Sequence, residues 1–210
     1  MSFSYEELAE IRYYIHQHPE LSGQEYQTTA FLKERLEELG IRILESGLKT
    51  GLIAEIGSGQ PVVALRADID ALPILEQTNL PYQSQHPGVM HACGHDFHQT
   101  SLLGAAALLK EKEDQFEGTV RLIFQPAEEI SEGASDVLAT GLLEDVQGII
   151  GFHNIPQLKA GQLALNAGAM MAGVEKFKVT VTGVSSHAAR PDLGVDTVTA
   201  ITTMVQNLQL

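Results

Sequence analysis

The segment His91-Ala92-Cys93-Gly94-His95-Asp96-Phe97-His98 puts three imidazoles, one thiol and one carboxylate within eight residues, just after the turn-prone Pro87-Gly88. Thiolate and imidazole both bind borderline cations such as Zn²⁺, and a short loop can aim them at one point. The same neighbours permit a second chemistry, in which an adjacent imidazole holds Cys93 as a nucleophilic thiolate. A polar loop of unrelated side chains is the third reading. Gln125-Pro126-Ala127-Glu128-Glu129 follows an apolar run, the place where open α/β sheets hold ligands. Two adjacent carboxylates repel if both are ionised in one dry pocket. They become reasonable if one binds a cation while the other, with a raised pKa, exchanges protons with water. Taken alone, such a pair is more often solvated charge at a strand end.

Asp68 and Asp70 follow the run Val62 to Ala67 and, being two apart on an extended chain, share a side. One of them can accept a hydrogen bond from a metal-bound imidazole, or both can cap a turn. His153 lies just past the apolar run Gly148 to Phe152. Three successive strands therefore end in candidate ligands or acids, and if those strands are parallel, one sheet edge collects them all. His16 and His18, before Pro19, read as polar residues at a helix exit. His187, within Gly183 to Pro191, is left undecided by its spacing.

These groups must be positioned by regular elements. Ser4 with Glu7, and Ser22 with Glu25, have the S-x-x-E spacing of a helix-capping box, so two helices are expected, the second stopping at Gly40. Gly51 to Ile56 and Val62 to Ala67 read as strands around Gly57-Ser58-Gly59. A helix is expected from Thr100 to Lys112, a strand over Val120 to Phe124, a helix near Ala134 to Ala139, and a strand over Gly148 to Phe152. The fold class is α/β, a mixed, largely parallel sheet covered by helices. Lys176 to Thr182 alternates polar and apolar residues like a half-exposed strand and is expected to start a different sheet. The helical run from Thr197 to Leu210 has no stop signal, which reads as a truncated sequence.

Composition sets the outer limits. The 210 residues are 44% hydrophobic and 19% charged, which excludes a mostly disordered chain. Thirteen Lys and Arg against 27 Asp and Glu give a net charge of −14, a field that repels nucleic acids and anionic membranes. No apolar stretch approaches the roughly 20 residues of a membrane span. The lone cysteine and the absence of a secretory signal at the N-terminus place the protein in the cytoplasm as an expectation.

The motifs His18-Pro19-Glu20-Leu21, Arg66 to Pro73, Met90 to Asp96, Gln125 to Glu129, and the His153 and His187 segments occur in one order. Together they resemble the aminoacylase-type metallopeptidase family, in its amidohydrolase branch of hippurate hydrolases, auxin-conjugate hydrolases and N-acetyldiaminopimelate deacetylases. The resemblance implies a zinc-exopeptidase-like catalytic domain over residues 1–173. Residues 174–210 would then begin a smaller α+β lid or dimerisation domain. It implies Cys93, His95, Glu129 and His153 as ligands of two divalent ions (Zn, Mn, Co or Ni), with Cys93 bridging. Glu128 would be the general base, Asp70 the carboxylate orienting the cluster, and His187 a lid imidazole that meets the substrate. Asp68 stands where the wider family often has a ligating His. The implied activity is hydrolysis of the amide bond of N-acyl amino acids or small peptides, in a possible homodimer. A last metal-binding His and much of the lid are missing after His187, so the chain itself is expected to bind metal poorly and turn over little. A non-catalytic metal-binding or dimerising fragment and a cysteine-nucleophile amide hydrolase are the competing readings.

Overall fold

A computed structural model describes residues 3–173 and 176–208. The chain folds into two compact units, Met1–Leu158 and Lys159–Leu210. In the first, α1 (Tyr5–Gln17) begins with the expected capping box: Ser4 Oγ accepts the Glu7 N–H, and the Glu7 carboxylate accepts the Ser4 N–H. The second expected box does not form. α2 (Tyr26–Glu38) starts after Glu25, whose side chain makes no cap bond. The Glu20 carboxylate accepts the N–H groups of Gln27 and Thr28 instead. Ser22 and Glu25 are drawn away to partners described below.

Five strands follow: β1 (Arg42–Ile43), β2 (Leu52–Ser58), β3 (Val62–Asp68), β4 (Gly118–Gln125) and β5 (Val146–Gly151), in the spatial order β1-β2-β4-β3-β5. β3 runs parallel to both β4 and β5, while β2 is antiparallel to β4 and to β1. The sheet is mixed, with the parallel trio on one side. β2 and β3, adjacent in sequence, are not neighbours, because β4 lies between them. Helix α3 (His95–Glu111) connects β3 to β4, and α4 (Gly133–Ala139) connects β4 to β5.

Over β2 and β4 both faces of the sheet are covered. Leu52, Ala54 and Ile56 of β2, with Leu122 and Phe124 of β4, pack against Leu32 and Leu36 of α2 and Leu102, Leu103 and Ala106 of α3. The intervening Ile53 and Ile123 face the other way, with Val137 of α4. This is the period-two alternation of a pleated strand. α3 begins five residues before the expected Thr100, at His95, after Gly94 in the left-handed conformation (φ 88°). That start places His95 and His98 in the first helical turn, with His91 and Cys93 just before it.

In the second unit, Lys176 to Thr182 carries no strand, a correction to the sequence expectation. A strand needs a partner for its N–H and C=O groups, and the only pairing found among the described residues of this unit is the bridge Val184–Val195. α5 spans Thr197–Leu208, and the rest of the expected helix, 209–210, lies outside the described residues. No helix of the described residues is long and apolar enough to cross a membrane.

Phe124 is fully buried on the central strand of the sheet. Phe124→Ala is expected to lower stability by about 3–5 kcal/mol, read as a reduced urea midpoint at unchanged slope.

Candidate functional site

The parallel β3, β4 and β5 direct their C-terminal ends to one sheet edge. Asp68 closes β3 and Asp70 follows it. Glu128 and Glu129 come three and four residues after β4, and His153 two after β5. α3 starts at the same edge with His95. The condition set by the sequence, that the strands be parallel, is met.

His95 is the buried centre of the group. Its Nδ1 lies 2.8 Å from the Asp70 carbonyl oxygen and donates to it, which leaves the lone pair on Nε2. Around Nε2 stand Asp68 Oδ2 at 3.6 Å, Glu129 Oε1 at 3.7 Å and Glu128 Oε2 at 4.0 Å. Both His95 Nε2 and Glu129 Oε1 are buried with no hydrogen-bond partner. Cys93 Sγ lies 3.3 Å from His153 Nε2, and His153 Nδ1 donates to the Asn154 carbonyl at 2.8 Å. The Asp70 carboxylate accepts from Ser22 Oγ at 2.6 Å and from the Glu129 N–H at 3.0 Å, so it ties two loops together.

Donor spacing tests whether a cation fits. Two ligand atoms bound at about 2.0–2.3 Å must lie within about 4.5 Å of each other. The 3.7 Å between His95 Nε2 and Glu129 Oε1 and the 3.3 Å between Cys93 and His153 meet that limit. The sets Cys93/His95/His153 and His95/Glu128/Glu129 each have mutually close ligand atoms, sharing His95. A third set, Asp68/His95/His98, fits less well. His98 Nδ1 is spent on Asp68 Oδ1 at 2.6 Å, and Asp68 also accepts from Arg66 Nη1 at 2.8 Å.

Electrostatics separate the chemical readings. Burial pushes the Cys93 thiol up, and the carboxylates of Glu129, Glu128 and Asp68 push it further, to about 12. An activated nucleophilic cysteine requires the opposite shift. A cation would reverse it, because a thiol ligand gives up its proton on coordination. Burial also raises Glu128, with help from the charges of Asp68 and Glu129, as suits a group that takes up and returns a proton.

Several residues at the site have roles that their sequence context does not reveal. Glu25, fully buried, accepts the Ala127 N–H at 2.8 Å through one oxygen and Thr50 Oγ1 at 2.7 Å through the other. It thereby anchors the loop bearing Glu128 and Glu129, where Ala127 adopts φ 49°, a left-handed conformation uncommon outside glycine. His16 is no solvated helix end: it is buried between Asp96 Oδ2 (3.0 Å) and Glu76 Oε1 (3.2 Å). Burial lowers its pKa, but the two carboxylates outweigh burial and raise it. His98 has a signal in retrospect, since three residues after His95 it shares that helix face. His187 belongs to the second unit, where its Nδ1 accepts the Ala189 N–H at 3.1 Å.

The model of peptidase family M20/M25/M40 matches residues 64–208. The chain belongs to this family. Among the curated relatives, N-acetyl-L-cysteine deacetylase of Bacillus subtilis (strain 168) is 50% identical over 205 residues, covering 97% of this chain and 49% of that protein. IAA-amino acid hydrolase ILR1-like 5 of Arabidopsis thaliana is 46% identical over 200 residues, covering 95% and 46%. The crystal structure of the Bacillus subtilis YXEP protein, a dinuclear metal-binding peptidase of the M20 family, superposes with a TM-score of 0.70 at 55% identity. It covers 72% of this chain and 43% of that one. The M20 chain thus spans about half the length of the curated relatives it matches.

Two outcomes are expected. Glu25→Ala leaves the Ala127 N–H and Thr50 hydroxyl without their acceptor and should cost about 1–3 kcal/mol for each buried group left unpaired, measured by denaturant unfolding. In the metal-free protein, burial raises Asp68, but the His98 hydrogen bond and the positive groups His95 and Arg66 outweigh it and hold the carboxyl at about 2, below its ordinary 3.8. A depressed folded-state value contributes stability that is present above the ordinary value and is lost as pH falls through about 2. Asp68→Asn should flatten the acid limb of stability between those values, measured by unfolding at stepped pH.

Proposed function

We propose that this chain carries the catalytic machinery of a metal-dependent amidohydrolase that cleaves the amide bond of N-acyl amino acids or short peptides at a dinuclear site. The observation that carries the reading is the convergence of Cys93, His95, Glu129 and His153 at one strand edge, with the buried His95 Nε2 and Glu129 Oε1 partnerless at ligand spacing. The names of the relatives, a deacetylase of an N-acetylated amino acid and a hydrolase of IAA-amino acids, support the substrate class.

Cys93, His95, Glu129 and His153 would hold two divalent ions. A thiolate, imidazole and carboxylate set accommodates Zn²⁺, Mn²⁺, Co²⁺ or Ni²⁺. Bound there, the ions would polarise the scissile carbonyl and lower the pKa of water. Glu128, half exposed at the edge of the group, takes a proton from the attacking water and returns it to the departing amine nitrogen. Its shift above the ordinary glutamate value helps it hold that proton until the leaving group takes it. Asp70 does not meet the substrate. It holds the His95 ring and the Glu129 backbone so that their ligand atoms face one another.

His187 is assigned as a substrate-contacting imidazole on the likeness of its segment to the family. A reducing compartment such as the cytoplasm suits the thiolate ligand, and a homodimer belongs to the same proposal.

The test uses the full-length protein with N-acetyl and N-benzoyl amino acids, following release of the free amine. Chelation is expected to abolish turnover and one of the four ions to restore it; undiminished activity after complete metal removal would sink the reading. Glu128→Gln should keep its metal content and lose about 10²–10⁴-fold in kcat. Near-normal turnover in that variant removes Glu128 as the base.

A further inference from the structure

Asn154, the residue after His153, touches three parts of the site at once. Its side chain lies against Gly94, the residue that separates Cys93 from His95. A Cβ at Gly94 would stand 2.4 Å from Asn154 Oδ1 and 2.7 Å from Nδ2, so the amide occupies the space that a side chain would need. Its polar atoms meet His98: the Asn154 N–H donates to His98 Nε2 at 3.1 Å, and the side-chain amide lies 2.5 Å from the same nitrogen. Its carbonyl accepts the His153 Nδ1–H at 2.8 Å.

His98 makes a firm anchor for these contacts. It is fully buried, its other nitrogen donates to Asp68 at 2.6 Å, and Asp68 is held in turn by Arg66. The His98 ring also packs edge-on against the His153 ring, with centroids 4.6 Å apart. A chain of contacts therefore runs from Arg66 on β3 through Asp68 and His98 on α3 to Asn154, and from there to both Gly94 and His153.

We propose that Asn154 is a positioning residue that fixes the His153 imidazole relative to the Cys93 thiol. The proposal rests on the metal-centre reading above. The physical reason is that His153 follows an edge strand and is exposed, so its ring direction is not set by core packing. Without a fixed neighbour, its Nε2 would sweep through orientations that Cys93 cannot meet. The Asn154 carbonyl sets which ring nitrogen faces the thiol. The Asn154 side chain ties that carbonyl to His98 and to the Gly94 turn that carries Cys93.

The experiment titrates the metal-free full-length protein with Co²⁺ alone and follows two signals, the thiolate-to-cobalt charge-transfer absorption and total cobalt bound. In the wild type the charge-transfer band is expected to appear as cobalt fills the Cys93–His153 site. Asn154→Ala should require about 10–100-fold more Co²⁺ for that band, while cobalt bound through His95 and Glu129 and the metal-free melting temperature stay near the wild type. Asn154→Ser provides the same comparison if the alanine variant does not fold. A band developing at wild-type cobalt concentrations overturns the proposal, and so does a loss of melting temperature with the band unmoved, which marks a purely structural residue. If the wild type itself gives no charge-transfer band, the thiolate metal site fails, and this proposal with it.

Discussion

The hydrogen bond from His95 Nδ1 to the Asp70 carbonyl decides which ring nitrogen faces the other donors. Neutral imidazole has one donor and one acceptor nitrogen, so committing Nδ1 to a backbone oxygen makes Nε2 the acceptor. That acceptor points to Asp68, Glu128 and Glu129, none of which, when ionised, can donate to it. The result is a buried arrangement whose polar demands are unmet by protein atoms alone. Such a cost persists where function requires it. The bond depends on Asp70 leaving β3 in one conformation, and Asp70 is held by Ser22 from the α1–α2 connection and by the Glu129 backbone from the β4 loop. Two separate connections thus determine the direction of one imidazole.

Charge crowding follows from the same geometry. Asp68, Asp70, Glu128 and Glu129 gather at one sheet edge in a chain whose formal net charge is −14. The compensating groups within reach are Arg66 and the histidines. Arg66 serves Asp68 and Gln125. Against the effect of burial, Asp68 and Asp70 are held low by their hydrogen bonds and the neighbouring histidines, while burial and the charges of Asp68 and Glu129 push Glu128 up. Neighbouring carboxylates with opposed shifts can divide their work, one remaining an anion while another handles protons.

Much of this is legible in the sequence because strand ends are marked by a change of residue type. The apolar runs before Asp68, Glu128 and His153 give the strands, and the polar residues after them give the edge. The parts that escape share a physical cause. Ser22 and Glu25 have capping-box spacing, yet a buried backbone N–H at Ala127 and the Asp70 carboxylate compete for them and prevail. Their partners lie 48 and 102 residues away, beyond any local pattern. The early start of α3 escapes for a related reason: His95 to Gln99 lacks apolar periodicity because most of that turn is buried against polar partners of the site. The Lys176 to Thr182 alternation describes a strand's side-chain pattern, but pattern alone supplies no second strand.

The strain in the glutamate loop has the same logic. Ala127 at φ 49° and Ser131 at φ 64° are both non-glycine residues in left-handed backbone conformations, on either side of Glu128 and Glu129. Such conformations survive where the surroundings over-determine them. Here Glu25 holds the Ala127 N–H, while the Ala127 carbonyl accepts from the N–H groups of Glu132 and Gly133. Gly133 has no room for a Cβ, which would lie 1.6 Å from the Pro126 carbonyl oxygen. A loop closed so tightly on itself gives Glu128 and Glu129 little freedom to relax away from each other. Their mutual repulsion is thereby kept and adds to the burial and the Asp68 charge that raise the proton affinity of Glu128.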